Sequence, residues 1–244
     1  MADRKRLVVV PALNEEATVG DVVRSARRTL GCDVLVVDDG SSDTTASVAR
    51  AAGASVLQHP FNLGVGAALR SGFRVASDGG YETVVQLDGD GQHDADDALK
   101  LLECLETAAV DIVIGSRFEA GYAAGPVRRT SMKLLSRIIS RRVGVNITDT
   151  TSGFRAFGKR AIQQFARAYP TAYLSDTVEA LVLAADWSFS VAEQPVHMHA
   201  RQGGRSSATN TRSAFHFLRL TLVLLLNRVR RPMTQRGELR DVQA

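Results

Sequence analysis

Short valine-rich runs recur along this 244-residue chain, alternate with stretches long enough for helices, and end abruptly in polar or acidic residues. Leu7 to Pro11, Asp33 to Val37, Ala54 to Gln58, Glu82 to Leu87 and Asp111 to Gly115 read as strands. Runs without polar interruption suit strands buried on both faces of a sheet. Between them, Asn14-Glu15-Glu16 opens a helix through Arg28, and Ser41-Ser42-Asp43 caps one over Thr44 to Ala52. Val65 to Ala76 and Asp94 to Thr107 supply two more. Strands alternating with helices of this length imply right-handed βαβ crossovers, hence an α/β chain with a mainly parallel central sheet flanked by helices.

In such a sheet ligands collect at the carboxyl ends of the strands. Here those ends read Pro11 to Glu15, Asp38-Asp39, Asp88 to Gln92 and Ser116-Arg117. The sharpest belongs to Val84 to His93, an apolar run that closes on Asp88-Gly89-Asp90. Two ionised carboxylates about 5 Å apart repel by roughly 3 kcal/mol at an effective dielectric of about 20, so the pair needs a counter-charge. Hard oxygen donors favour Mg²⁺ or Mn²⁺, ions that bring phosphates with them. An Asp-Gly turn closing a hairpin is the plain alternative. A second acid-tipped strand and a third ending in Asn-Glu argue against it. Asn62 to Leu69 mimics a dinucleotide fingerprint, but Leu69 stands where the third glycine belongs, and the first βα turn has no glycine motif. Gly64 and Gly66 read instead as a turn and a close approach ahead of a helix. Val37-Asp38-Asp39 also fits the strand end of a phosphoacceptor receiver domain, but that signalling class is much shorter and leaves Asp88-Gly89-Asp90 unexplained.

After Arg117 the regular alternation stops. Phe118 to Pro126 is a glycine-rich loop, Val127 to Val143 a helix with several basic residues, and Thr148 to Arg155 a polar turn before Ala156-Phe157. Lys159 to Tyr169 and Ser175 to Ala185 read as helices, and Ser188 to His197 as an alternating strand. Net charge is +4, with basic residues crowded into the later half at Arg128-Arg129, Arg141-Arg142 and Arg228 through Arg231. That asymmetry suits phosphate or an anionic membrane surface and speaks against a nucleic-acid partner. Two cysteines, Cys32 and Cys104, suggest neither a disulfide framework nor a zinc site, which fits a reducing cytoplasm. The apolar stretch Leu7 to Ala12 is too short for a signal peptide. Near the other end, Phe215 to Val229 forms an amphipathic C-terminal helix whose densest run, Leu220 to Leu226, covers only about 10 Å of a hydrocarbon core of about 30 Å. It reads as an interfacial helix with Arg228 to Arg231 against headgroups, or as a contact with protein, including a second copy in a homo-oligomer. The expected organisation is one domain over 1–210, this helix within 211–232, and a flexible tail over 233–244.

Taken together, Val9 to Glu16, Val36 to Thr44, Asn62-Leu63-Gly64, Leu87 to His93, Gly115-Ser116-Arg117 and Thr151-Ser152-Gly153-Phe154-Arg155 resemble family 2 glycosyltransferases of the Rossmann-like GT-A fold. Within that family the chain is similar to the dolichyl- and polyprenyl-phosphate sugar synthases over about residues 6 to 207. The resemblance implies a nucleoside-diphosphate sugar, GDP-mannose or UDP-glucose, held by Pro11, Asn14, Glu15, Asp38, Asp39, Gly64, Asp88 and Gly89. It also implies Mg²⁺ or Mn²⁺ on Asp88, Asp90 and Gln92, stabilising the leaving diphosphate. Asp90, Arg117 and Asp176 become the candidates for catalysis. Arg117, Arg128, Arg201, Arg205 and Ser206 become those for the acceptor phosphate, where a guanidinium can donate two bonds to phosphate oxygens.

A polyprenyl phosphate is anionic at neutral pH, so its attack needs no strong base. The family's late Arg-x-x-Gly-x-Ser-Lys pattern is met at Arg201, Gly204 and Ser206, but Ser207 replaces the lysine. Either Arg205 supplies that charge or the acceptor differs. For relatives with a soluble hydroxyl acceptor, an acid such as Asp176 or Glu179 would act as base, though Asp176 equally suits a helix start. The expected enzyme is an inverting hexosyltransferase, peripherally bound at the inner face of the plasma membrane. A non-catalytic nucleotide-sugar-binding subunit is the contrasting possibility, and the retained Asp88, Asp90 and Gln92 argue against it.

Overall fold

A computed structural model describes residues 5–117, 126–171 and 176–197, with the backbone alone for 126–131. Seven strands form one sheet: β1 (Arg6–Ala12), β2 (Asp33–Asp38), β3 (Ser55–Gln58), β4 (Thr83–Gln86), β5 (Ile112–Ser116), β6 (Arg155–Gly158) and β7 (Val191–Pro195). Among the described residues seven helices accompany them: α1 (Val19–Leu30), α2 (Thr45–Ala51), α3 (Val65–Asp78), α4 (Ala95–Thr107), α5 (Pro126–Val143), α6 (Lys159–Ala168) and α7 (Asp176–Asp186). Across the sheet the strands run in the order β3-β2-β1-β4-β6-β5-β7.

The valine runs occupy the middle because both of their faces are covered. On one side Leu7, Val9, Leu35, Val37 and Val84 pack under Leu69, Phe73 and Phe165. On the other, Val8, Val10, Val34, Val36 and Val85 meet Val19, Val23, Leu101 and Leu102. Gly66 and Gly72 let α3 approach closely: a Cβ at Gly66 would lie 2.2 Å from the Pro170 carbonyl oxygen, and one at Gly72 2.5 Å from Val9 Cγ1. Gly64 precedes that helix at φ +94°, a backbone region that glycine enters without steric cost. These are the turn and the close approach expected from the sequence.

One local feature departs from the sequence reading. The helix expected to open at Asn14 begins at Val19. Asn14 is left-handed at φ 55°, and the residues after it are spent on hydrogen bonds to the neighbouring loop. The polar turn after Thr148 leads into β6, which pairs antiparallel with both β4 and β5 while the other pairings are parallel. An antiparallel strand presents its start where its neighbours end, so the turn before β6 lies at the carboxyl edge beside Gln86 and Ser116. Among the described residues no helix is long and apolar enough to cross a membrane. The segment 211–232 lies outside the described residues.

Gly72→Ala should lose about 1–3 kcal/mol by overpacking against Val9. Urea unfolding should report this as a lower midpoint at an unchanged m-value.

Candidate active site

Three loops leave the carboxyl edge of β1, β2 and β4 and are tied to one another before any ligand arrives. Asn14 donates its backbone N–H to Ser41 Oγ at 2.9 Å, and its Oδ1 accepts from Ser42 N–H at 2.9 Å. The Glu15 N–H reaches Thr45 Oγ1 at 2.8 Å, and Thr44 donates N–H and O–H to Glu16 Oε2. The β4 loop joins the assembly through Gly89, whose carbonyl accepts from Thr18 Oγ1 at 2.7 Å. A Cβ on Gly89 would sit 3.3 Å from Ala12 Cβ and 3.4 Å from the Pro11 carbonyl oxygen, so a bare backbone lets the acidic loop lie against β1.

Asp38 and Asp39 divide their work. Asp38 is buried and accepts from Ser41 N–H at 3.0 Å and Gln58 Nε2 at 3.1 Å. Asp39 accepts from the N–H groups of Leu63 and Gly64, at 3.0 and 2.7 Å, and from His59 Nδ1 at 2.7 Å. His59 Nε2 lies 3.0 Å from Ser71 Oγ, so both ring nitrogens have partners. Asp39 therefore shapes the loop ahead of α3, and His59 is a supporting residue that sequence reasoning missed. No spacing in the chain links position 59 to 39.

Asp88 and Asp90 behave differently. The Asp88 side chain is 37% exposed, and among the described residues its carboxylate oxygens accept no hydrogen bond within 3.5 Å. Its backbone N–H donates to His93 Nδ1 at 3.1 Å, which places the hydrogen of the neutral ring on Nε2, 3.7 Å from Asp88 Oδ2. The His93 ring stacks on Phe154 at 4.6 Å. Asp90 is buried, and its Oδ1 accepts from Gln92 N–H at 3.1 Å. Among the described residues no group of three or more His, Cys, Asp or Glu side chains is arranged to hold an ion. Two carboxylates and the Gln92 carboxamide fit the hard ion that takes one or two protein carboxylates and completes its shell with phosphate oxygens and water.

Arg117 follows β5 and is bound tightly across the turn before β6. Its Nε and Nη2 donate to the two oxygens of Asp149 at 2.6 and 2.9 Å, and Nη2 also reaches Thr151 Oγ1 at 2.7 Å. Asp149 is fully buried. Burial pushes its carboxyl up, but the Arg117 bonds and charge outweigh this and hold it below the usual range. Glu193 of β7 completes the turn, accepting from Thr148 N–H at 2.9 Å and Asp149 N–H at 2.8 Å. Neither Asp149 nor Glu193 carried a signal in the sequence, since their partners lie tens of residues away.

Beneath this turn sits a second charge. Arg155 is 1% exposed, donates from Nε to the Ser152 carbonyl at 2.9 Å and from Nη2 to the Thr150 carbonyl at 3.3 Å, and forms no ion pair among the described residues. Burial draws its proton affinity down, while the more distant Tyr169, Asp176 and Asp149 support its charge. Asp176, at the start of α7, is buried, and desolvation pushes it up to about 6; Arg155 opposes the shift and Asp88 adds to it. Glu179 lies one turn further along α7 and is half-buried. Gln86 Oε1 and Tyr169 Oη are among the four buried side-chain polar atoms that have no hydrogen-bond partner among the described residues. Arg128 falls in α5 with its side chain outside the described residues, as are Arg201, Arg205 and Ser206. The described residues that follow β1, β2 and β4, with Arg117 after β5, thus gather at one sheet edge.

Folded Asp176 holds its proton more tightly than the unfolded chain, so its contribution to stability is present below pH 3.8 and lost as pH rises through about 6. Asp176→Asn should therefore be more stable than the parent by about 3 kcal/mol above pH 6. That advantage should vanish below about pH 4 in denaturant titrations across pH. Arg117→Met, which strands the Asp149 carboxylate, should lose about 3 kcal/mol at pH 7 by the same measurement.

Comparison with known proteins accords with this geometry. The model of glycosyl transferase family 2 matches residues 7–165. The polyprenol monophosphomannose synthase of Mycolicibacterium smegmatis is 30% identical, over 86% of this chain and 84% of its own length. The UDP-N-acetylglucosamine–dolichyl-phosphate N-acetylglucosaminyltransferase of Methanococcus voltae is 26% identical, over 94% and 99%. Among solved structures, glucosyl-3-phosphoglycerate synthase from Mycobacterium tuberculosis, in complex with Mn²⁺, UDP and phosphoglyceric acid, superposes with a TM-score of 0.70 at 22% identity, covering 96% of this chain and 81% of that one. Its likeness is one of fold, the GT-A arrangement anticipated from the motifs. With the family model spanning β1 through most of α6, the chain belongs to the family 2 glycosyltransferases.

Proposed function

We propose that this glycosyltransferase moves a hexose from a nucleoside-diphosphate sugar to a polyprenyl phosphate, with inversion at the anomeric carbon, at the cytoplasmic surface of a membrane. What supports this most directly is the meeting, along one sheet edge, of the exposed Asp88 and buried Asp90 just after β4 with Arg117 just after β5, where the turn 149–153 touches both Asp88 and Arg117. The names of the two relatives above, both transferases to lipid phosphates, point the same way.

In this reading Pro11, Asn14, Glu15, Asp38 and the loop that Asp39 holds at Gly64 border the nucleoside, and Gly89 leaves room for the diphosphate. Asp88, Asp90 and Gln92 would hold Mg²⁺ or Mn²⁺, which supplies a Lewis acid for the departing diphosphate. Arg117 and Arg128, with Arg201, Arg205 and Ser206, collect the acceptor phosphate. One of its anionic oxygens attacks the anomeric carbon from the face opposite the diphosphate. The new C–O bond forms as the old one breaks, the electron pair leaves with the diphosphate, and no proton need be moved.

A second reading, transfer to a soluble hydroxyl acceptor, is favoured by Asp176, since a buried acid pushed up to about 6 has the proton affinity of a working general base. The two separate experimentally. With radiolabelled UDP-glucose, GDP-mannose and UDP-N-acetylglucosamine, polyprenyl phosphate and Mn²⁺, one donor should deliver label to the organic phase. Asp90→Asn should lower that rate by about 100-fold or more, while Asp176→Asn and Glu179→Gln keep it. No organic-phase label from any donor overturns the lipid-phosphate reading; full transfer to lipid phosphate in Asp176→Asn and Glu179→Gln overturns the base-dependent one.

A further inference from the structure

Between the two halves of the site lies a charge that the transfer chemistry does not use. Arg155 sits in the middle of the sheet, in register with Gln86 of β4 on one side and Ile114 of β5 on the other. It is 1% exposed, and both of its described hydrogen bonds go to main-chain carbonyls of the turn before its own strand. A guanidinium is hard to bury, and a neutral side chain would serve a sheet interior better. Its position is explained by what those carbonyls flank.

The Ser152 carbonyl, which Arg155 Nε holds at 2.9 Å, is bonded directly to Gly153. Gly153 lies on Asp88: a Cβ there would be 3.4 Å from each Asp88 carboxylate oxygen and 3.1 Å from Gln86 Nε2. The Thr150 carbonyl, held by Nη2 at 3.3 Å, lies between Asp149 and Thr151, the two residues that fix Arg117. One rigid planar fork therefore sets the backbone on both sides of the turn, and the turn touches one functional side chain at each end.

We propose that Arg155 is a positioning residue that holds Asp88 and Arg117 in a fixed relation through the turn 149–153, coupling the donor side of the site to the acceptor side. This rests on the reading that Asp88 serves a divalent ion and Arg117 an acceptor phosphate. Lysine keeps the charge but presents its donors from a single nitrogen on a flexible stem, so it cannot fix the two carbonyls as the planar fork does. Thr151→Val, in contrast, cuts the Arg117 branch alone.

The test uses the full-length chain. Mn²⁺ binding in the presence of a nucleoside diphosphate is measured by calorimetry, together with KM for polyprenyl phosphate and the thermal midpoint. Arg155→Lys should weaken Mn²⁺ binding and raise the acceptor KM each by about tenfold, the scale seen when residues supporting a metal ligand are lost. Thr151→Val should raise the acceptor KM and leave Mn²⁺ binding unchanged. A merely structural Arg155 would lower the thermal midpoint and leave both constants of the folded fraction as in the parent, and that result overturns the inference. If Arg155→Lys does not fold, Gly153→Ala takes its place: the added methyl against Asp88 should weaken Mn²⁺ binding, and an unchanged affinity overturns the inference. A parent protein that binds no Mn²⁺ sinks the functional reading and this inference together, whereas a parent that binds it and an Arg155→Lys that binds it equally sink the inference alone.

Discussion

Burial of the central strands on both faces is the constraint from which the site follows. Alternate residues of β1 enter opposite cores, Leu7 and Val9 on one side, Val8 and Val10 on the other, and its backbone is bonded to β2 and β4 along both edges. Nothing along such a strand can touch solvent except its ends. Polar function is thereby pushed to the carboxyl edge, where α1, α2 and α3 begin and where backbone N–H groups are in surplus. The acids of this chain meet that surplus: Asp39 takes two loop N–H groups, Asp43 the Thr45 N–H, and Asp94 the Asp96 N–H.

Most of these acids are therefore engaged before any substrate binds. Asn14, Glu16 and Asp43 lock the first loop to the second, Thr18 locks the first to the third, and Glu193 and Arg117 lock the turn 149–153 from opposite sides. Asp88 stands apart, with an accessible carboxylate beside a glycine that keeps space open. Ordering that is complete in the folded chain need not be supplied by the ligand, which is how a site avoids spending binding energy on its own assembly.

The alternation of valine runs and helices made the parallel sheet, its helices and the crowding of acids at one edge readable from residues alone. So were Gly64 and Gly66, because a turn and a close approach both demand the absence of a side chain. Three things were hidden for physical reasons. Asn14 reads as a helix opener by residue type, but bonds to a loop 28 residues away hold it in a left-handed conformation. His59, Asp149 and Glu193 act through partners 20 to 45 residues distant, and no local pattern encodes such pairs. The insertion of β6 between β4 and β5 is a topological fact, since a four-residue apolar run does not announce its direction.

That inserted strand divides the molecule in a way the three-dimensional site conceals. The loops after β1 and β2 and the acidic turn after β4 come from one uninterrupted length of chain, residues 6–92. The segment that carries Arg117 and the turn 149–153 is threaded separately, following β5 and returning through α5 before β6 is laid between β4 and β5. Exchange or lengthening of that excursion would leave the pairings among β1, β2, β3 and β4 untouched. The architecture thus permits the residues around Arg117 to diversify independently of the acid-lined loops after β1, β2 and β4.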